Sequence, residues 1–156
     1  MKKGRKKGGE MSNKKTGTCF EKQLAEMLSE NGFWVHMFQD NKNGQPCDLI
    51  AAQDGETYLF DCKNCEKDFF RLSRVEENQR NAMELFYRTG NRRGMFAIRF
   101  RENQVYLVDY QVIEGMQKQG IRQIDPENIH LYGRTWESWL EEFAILHRER
   151  RQECRS

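Results

Sequence analysis

The stretch PCDLIAAQDGETYLFDCK, residues 46 to 63, constrains the fold more than any other part of the chain. Two short runs rich in strand formers flank Asp54-Gly55, a dipeptide that favours a two-residue hairpin turn because both positions tolerate positive φ. Such a turn fixes the register. Ala52 then faces Thr57, Ile50 faces Leu59 and Asp48 faces Asp61 on one side, while Ala51 with Tyr58, Leu49 with Phe60 and Cys47 with Cys62 fill the apolar side. Opposite residues hold their Cβ atoms about 4.5–5.5 Å apart, where like charges destabilise the pair. Two facing aspartates therefore require either that one takes up a proton or that a divalent cation bridges them. Carboxylate oxygens are hard ligands that suit Mg²⁺ or Mn²⁺. Lys63, two residues beyond Asp61, alternates to the same face, where an ammonium could orient or deprotonate an attacking water or stabilise a phosphorane-like transition state. The plainer reading is an Asp48–Lys63 salt bridge at a strand end, with Asp61 solvated.

Around the hairpin the apolar periodicity gives the order α β β β α β β α. Thr18-Cys19-Phe20-Glu21 has the form of a capping box opening a helix on Phe20, Leu24, Met27 and Leu28, stopped at Gly32. Glu21 has two readings: the capping partner of Thr18, or, at about 20° from Leu28 on the helical wheel, a carboxylate bordering the core and able to reach a site on the sheet. Phe33 to Phe38 reads as a strand, and Ser73-Arg74-Val75-Glu76 as a second capping box opening a helix that ends at Gly90. Strands follow at Met95–Phe100 and Val105–Tyr110 around a RENQ turn. A short helix near 111 to 118 and a final helix on Trp136, Trp139, Leu140, Phe143 and His147 complete the chain.

Charge separates the first residues from the rest. Lys2, Lys3, Arg5, Lys6, Lys7, Lys14 and Lys15 stand against Glu10 alone, although the whole chain of 156 residues carries a formal net charge of only +2. Residues 1 to 16 are thus expected to be a disordered basic arm, either a polyanion-binding segment or a solubilising tail. Residues 17 to 150 are expected to form a single domain, with its core at 17 to 110 and a C-terminal helical part at 111 to 150. No apolar run approaches the roughly 18 residues of a membrane span and no secretory h-region is present, so an intracellular protein is expected, in cytoplasm or nucleoid, or encoded by a phage. Five cysteines without regular spacing read as reduced thiols; the lone CxxC, Cys62 to Cys65, leaves a zinc or redox module as a minor alternative.

Glu21, Pro46-Cys47-Asp48, Asp61-Cys62-Lys63 and Gln79 on the following helix together resemble the PD-(D/E)xK nuclease superfamily, over roughly residues 16 to 110. The layout is most similar to the archaeal-type Holliday junction resolvases, with the RecU resolvases and phage relatives nearby. The chain departs from that pattern at Cys47, where many members read Pro-Asp directly, and at Asp61, where Glu is commoner. The resemblance implies a restriction-endonuclease-like α/β fold, a central mixed sheet flanked by helices. It implies that Asp48, Asp61 and the Cys62 carbonyl hold a catalytic Mg²⁺, that Lys63 acts on the nucleophilic water, that Glu21 supports the metal or its water, and that Gln79 lies beside the site. It also implies a homodimer acting on DNA four-way junctions.

Lys67, Phe69, Phe70 and Arg71 follow the hairpin, where the aromatics read either as a base-stacking or wedging element or as burial against the next helix. Arg92 and Arg93 read either as phosphate contacts or as a solvated turn. The expected function is a Mg²⁺-dependent endonuclease on branched DNA, a Holliday junction resolvase. The alternatives are another nuclease of the same fold, restriction-like or repair-type, and a non-catalytic DNA-binding protein.

Overall fold

The hairpin turn forms as its residue types require: Asp54 and Gly55 take φ values of 50° and 80°. That pair joins β2 (Leu49–Gln53) to β3 (Glu56–Asn64), and the pairing has the expected register, with Leu49 opposite Phe60, Ile50 opposite Leu59, Ala51 opposite Tyr58 and Ala52 opposite Thr57. The computed structural model describes residues 13–39 and 46–155. Lys2, Lys3, Arg5, Lys6 and Lys7 lie outside the described residues.

β1 (Trp34–Met37) pairs antiparallel with β2, and β5 (Met95–Arg99) runs parallel to β3. β6 (Val105–Asp109) and β8 (Arg134–Thr135) extend the sheet antiparallel, giving the mixed six-stranded order β1-β2-β3-β5-β6-β8. Alternation along the strands creates two cores, one on each face. On one face α1 (Asn13–Glu30) and α4 (Trp136–Glu153) bury Phe20, Leu24, Leu28, Trp136, Trp139 and Phe143 against Leu49, Ala51, Phe60 and Ala97. On the other, α2 (Glu77–Arg88), α3 (Tyr110–Lys118) and the small sheet of β4 (Phe70–Arg71) with β7 (Gln123–Ile124) cover Leu59, Phe96, Ile98 and Val108. The helices of both layers flank the mixed sheet, as the sequence led us to expect. Among the described residues no helix is long and apolar enough to cross a membrane.

Three local expectations are corrected. α1 includes residues 13 to 16, Lys14 and Lys15 among them, in its backbone, so Thr18 is an interior helical residue. A capping box needs a helix N-terminus, and Thr18 does not stand at one. The second capping box is also displaced. Ser73 lies within a 3₁₀ turn, Leu72–Arg74, which carries Val75 into the core, and the box forms three residues later, where Gln79 Oε1 accepts from the Glu76 N–H at 3.1 Å. Finally, Cys47 does not share the face of Cys62. β2 starts at Leu49, so strand alternation does not extend to Cys47, and the thiol is buried on the α2 side with Leu59 and Cys65, while Cys62 packs toward α1 and α4. Both thiols are free.

The turn end of the hairpin is tied down by ions. Glu56 is buried and is held by Arg92 and Arg150, while Asp54 receives Arg151 Nη2 at 3.0 Å and has His147 Nδ1 at 3.6 Å. α4 thus clamps one end of β2 and β3, and Asp48, Asp61 and Lys63 lie at the other.

Candidate active site

β3 delivers two charged side chains to the α2 face of the sheet. Asp61 is 2 % exposed and Lys63 9 %, and their Oδ2 and Nζ atoms are 2.9 Å apart. The plainer sequence reading, a solvated Asp61 beside an Asp48–Lys63 bridge, is therefore not the arrangement found. Gln79, in the first turn of α2, joins the pair: its Nε2 donates to Asp61 Oδ1 at 2.9 Å, and its Oε1 accepts from Lys63 Nζ at 3.2 Å. The capping bond to Glu76 locks the same amide to the helix N-terminus, so one side chain sets α2 and orients both partners on β3.

Asp48 enters from just before β2. Its N–H donates to the Phe60 carbonyl at 3.0 Å, and its Oδ2 accepts from the Cys62 N–H at 2.6 Å, taking the place a ladder carbonyl would occupy. Burial foremost raises the Asp61 pKa from 3.8 to about 7; the Lys63 charge opposes the rise and the Asp48 charge adds to it. The expected tension between two neighbouring aspartates is thus present, resolved by partial proton uptake and by the ammonium. Burial also drives the Cys62 thiol well above its ordinary value, and the charges of Asp48, Asp61 and Glu21 push it further. That effect places Glu21 at the same end of β3, reached from the α1 layer rather than from the layer of Lys63. Among the described residues no three His, Cys, Asp or Glu groups already converge as a metal cage.

Lys67 and Arg71 flank the half-buried Phe69 ring, at 6.0 and 5.4 Å from its centre. Phe70 is fully buried in β4. Lys67, Phe69 and Arg71, with Asn64, Cys65, Glu66 and Arg74, line a cleft of about 360 Å³ that begins at Cys62. Arg74, which no motif singles out, stacks on Phe70 and donates to the Asn64 carbonyl at 3.2 Å, bracing the strand end beyond Lys63. Arg92 and Arg93 are not brought to this site. Arg92 pairs with Glu56, and its N–H donates to the Thr57 carbonyl, four residues and about 13 Å up the strand from Asp61. Arg93 lies on Tyr87, 3.9 Å from Asp109. Phe38 is a further neighbour that sequence reasoning missed. Its N–H donates to the Asp48 carbonyl at 2.9 Å, and extending the hairpin register by one strand would have placed it there.

The model of the archaeal Holliday junction resolvase (Hjc) family matches residues 12 to 134, reaching past the region that the sequence motifs cover. A crossover junction endodeoxyribonuclease, Hjc of Methanocaldococcus jannaschii, is 33% identical over 60 residues, which span 38% of this chain and 43% of that protein. Among solved structures, the Hjc Holliday junction resolvase of Archaeoglobus fulgidus superimposes with a TM-score of 0.60 at 16% identity, covering 81% of this chain and 96% of that one. A bacterial homing endonuclease, I-Ssp6803I, gives a TM-score of 0.55 at 14% identity over 86% of this chain and 97% of that one. Both likenesses concern the fold.

Proposed function

Because this chain belongs to the archaeal Holliday junction resolvase family, we propose that it is an endonuclease that hydrolyses phosphodiester bonds in four-way DNA junctions, assisted by Mg²⁺, with Mn²⁺ able to substitute. The observation that carries this reading is the Asp61–Lys63–Gln79 cluster with Asp48 beside it, all at one end of β3. A binding module gains nothing from a buried aspartate held near neutrality next to a phosphate. A hydrolytic site can use it, since the ionised carboxylate is a ligand for a divalent cation.

The residues fit a divalent cation by their chemistry. Asp48 and Asp61 offer hard carboxylate oxygens and the Cys62 carbonyl belongs to the same strand end, while Glu21, whose charge acts on the Cys62 thiol, is assigned the supporting role toward the ion or its water. The raised Asp61 pKa is the strain that a cation would relieve, by holding the carboxylate ionised in place of a proton. When bound, the cation supplies Lewis-acid polarisation of the phosphate and lowers the pKa of water. Lys63 presents its ammonium to the reacting phosphate and its water, neutralising charge as it develops. Gln79 keeps Lys63 and Asp61 in one orientation, so that little reorganisation is needed in the transition state. Asp48, fixed by the Cys62 N–H, holds its carboxylate at the strand edge. Lys67 and Arg71, on the cleft next to the site, bind backbone phosphate, as do the basic residues before α1.

Two symmetric strands are cut in a junction, and a homodimer places one such site on each. Residues 17 to 150 act as one nuclease domain in this reading. End-labelled four-way junction, duplex, flap and single-stranded DNA incubated with the full chain, in Mg²⁺ or EDTA, test it. Paired nicks confined to the junction and lost in EDTA are expected. Equal cutting of duplex would move the protein to another nuclease activity of the same fold, and binding without cleavage in either Mg²⁺ or Mn²⁺ would reject the reading.

A further inference from the structure

The outermost strand carries a row of rings that the hydrolytic chemistry does not use. Trp34 and His36 alternate along β1 and so share one face, and Phe38, one residue past its end, brings its ring against His36. Trp34 and His36 lie nearly parallel, 13° between planes and 6.3 Å between centres, and His36 meets Phe38 edge-on at 5.7 Å. Register identifies the face: Trp34 is opposite Ala52 and His36 opposite Ile50, which is opposite Leu59 on the side of β3 that bears Asp61 and Lys63. Phe38 packs with that same layer and is hydrogen-bonded to the Asp48 backbone. The stripe therefore runs along the sheet face that bears Asp61 and Lys63 and ends at the Asp48 backbone.

Its exposure is one-sided. Val35 and Met37, on the reverse face, pack against the α1 and α4 core, whereas Trp34 is 62 % exposed and His36 is exposed too. An open aromatic edge is an aggregation hazard that natural sheets normally blunt with charge, bulges or cover. From Trp34 to Phe38 this one carries no acidic or basic residue except His36. We propose that Trp34 and His36 form a stacking platform for unpaired bases of the DNA strand whose phosphate lies at Asp48 and Asp61. The proposal rests on the hydrolytic reading of that site. Alternate side chains on a strand recur about every 6.6 Å, a spacing suited to an extended, unstacked nucleic-acid strand, and flat rings beside a phosphate site provide the sequence-tolerant contact that single strands use. The bases opened at a branch point are the substrate chemistry that fits.

Trp34 also supplies the probe, because Trp136 and Trp139 are buried. Full chain in EDTA, where nothing is cut, is titrated with single-stranded oligothymidylate and separately with duplex, following tryptophan emission. Quenching by the single strand and little by the duplex is expected. Trp34→Ala should remove the quenching and weaken single-strand binding fivefold or more. The salt dependence should stay unchanged, since no phosphate contact is lost, and Trp34→Phe should retain the affinity. Equal quenching by duplex, unchanged single-strand affinity in Trp34→Ala, or a wild-type dimer that dissociates in Trp34→Ala would each overturn the platform, the last by making the stripe a contact between copies. Junction cleavage measured alongside separates the two ideas. If the wild type cuts but shows no quenching, the platform alone fails; if it cuts no DNA, the hydrolytic reading fails and the platform loses its basis with it.

Discussion

Without a divalent cation, the pocket at the end of β3 should make the protein less stable as pH rises, and Asp61→Asn should abolish that dependence. Burial foremost lifts the Asp61 pKa from 3.8 to about 7, with the Asp48 charge adding to the rise against the pull of Lys63. An acid whose folded pKa lies above its unfolded value binds its proton more tightly when folded. Its stabilisation is complete below the unfolded pKa and disappears as pH climbs through the folded one. Each unit is worth about 1.4 kcal/mol, and the slope halves as pH reaches the folded pKa, so the stability of wild type relative to the variant should fall by about 2 kcal/mol between pH 5 and 7, then level off. Urea unfolding in EDTA at pH 5, 6, 7 and 8, on wild type and Asp61→Asn, measures it. Saturating Mg²⁺ should hold Asp61 ionised and flatten the wild-type curve. Wild-type and variant curves that run parallel from pH 5 to 8 in EDTA would refute the reasoning, because Asp61 would then titrate alike in folded and unfolded chains.

Gln79→Ala removes the amide that joins Lys63, Asp61 and the start of α2; the single-turnover cleavage rate should fall by roughly ten- to a hundredfold while the junction Kd moves little. Gly94→Ala would set a Cβ 2.4 Å from Met83 Cγ and 2.7 Å from its sulfur, and thermal unfolding should show a loss of about 1–3 kcal/mol. Arg92→Ala takes one of two guanidinium partners from the buried Glu56 and should cost about 1–3 kcal/mol in urea unfolding, whereas Arg93→Ala, removing an exposed contact with Asp109, should change stability by about 0.5 kcal/mol or less.

Much of this architecture is legible from local rules because local rules act strongly in it. Asp54-Gly55 sets the hairpin register, and that register brings Asp48, Asp61 and Lys63 to one end of β3 before any tertiary contact is considered. The spacing of Trp136, Trp139, Phe143 and His147 marks the buried face of α4. The errors arise where a local signal has a nearby competitor. Thr18 and Ser73 each begin a valid capping pattern, but helix continuation upstream of one and the burial of Val75 after the other decide where the helices start. Cys47 was assigned a face by alternation that ends at Leu49. The pairing of β4 with β7 and the edge strand β8 involve two residues each, too short for any periodicity to register. The approach of Glu21 from the opposite layer depends on how α1 packs across the sheet, which spacing within α1 does not encode.

The central claim is that the Asp61–Lys63 end of the hairpin performs the hydrolysis, and single-turnover cleavage of a four-way junction by Lys63→Ala and Asp61→Asn in Mg²⁺, paired with junction affinity in EDTA, tests it most directly. The account predicts affinities within a few-fold of wild type and cleavage reduced at least a thousandfold in both variants. Cleavage by either variant at the wild-type rate, with the junction bound normally, would contradict it.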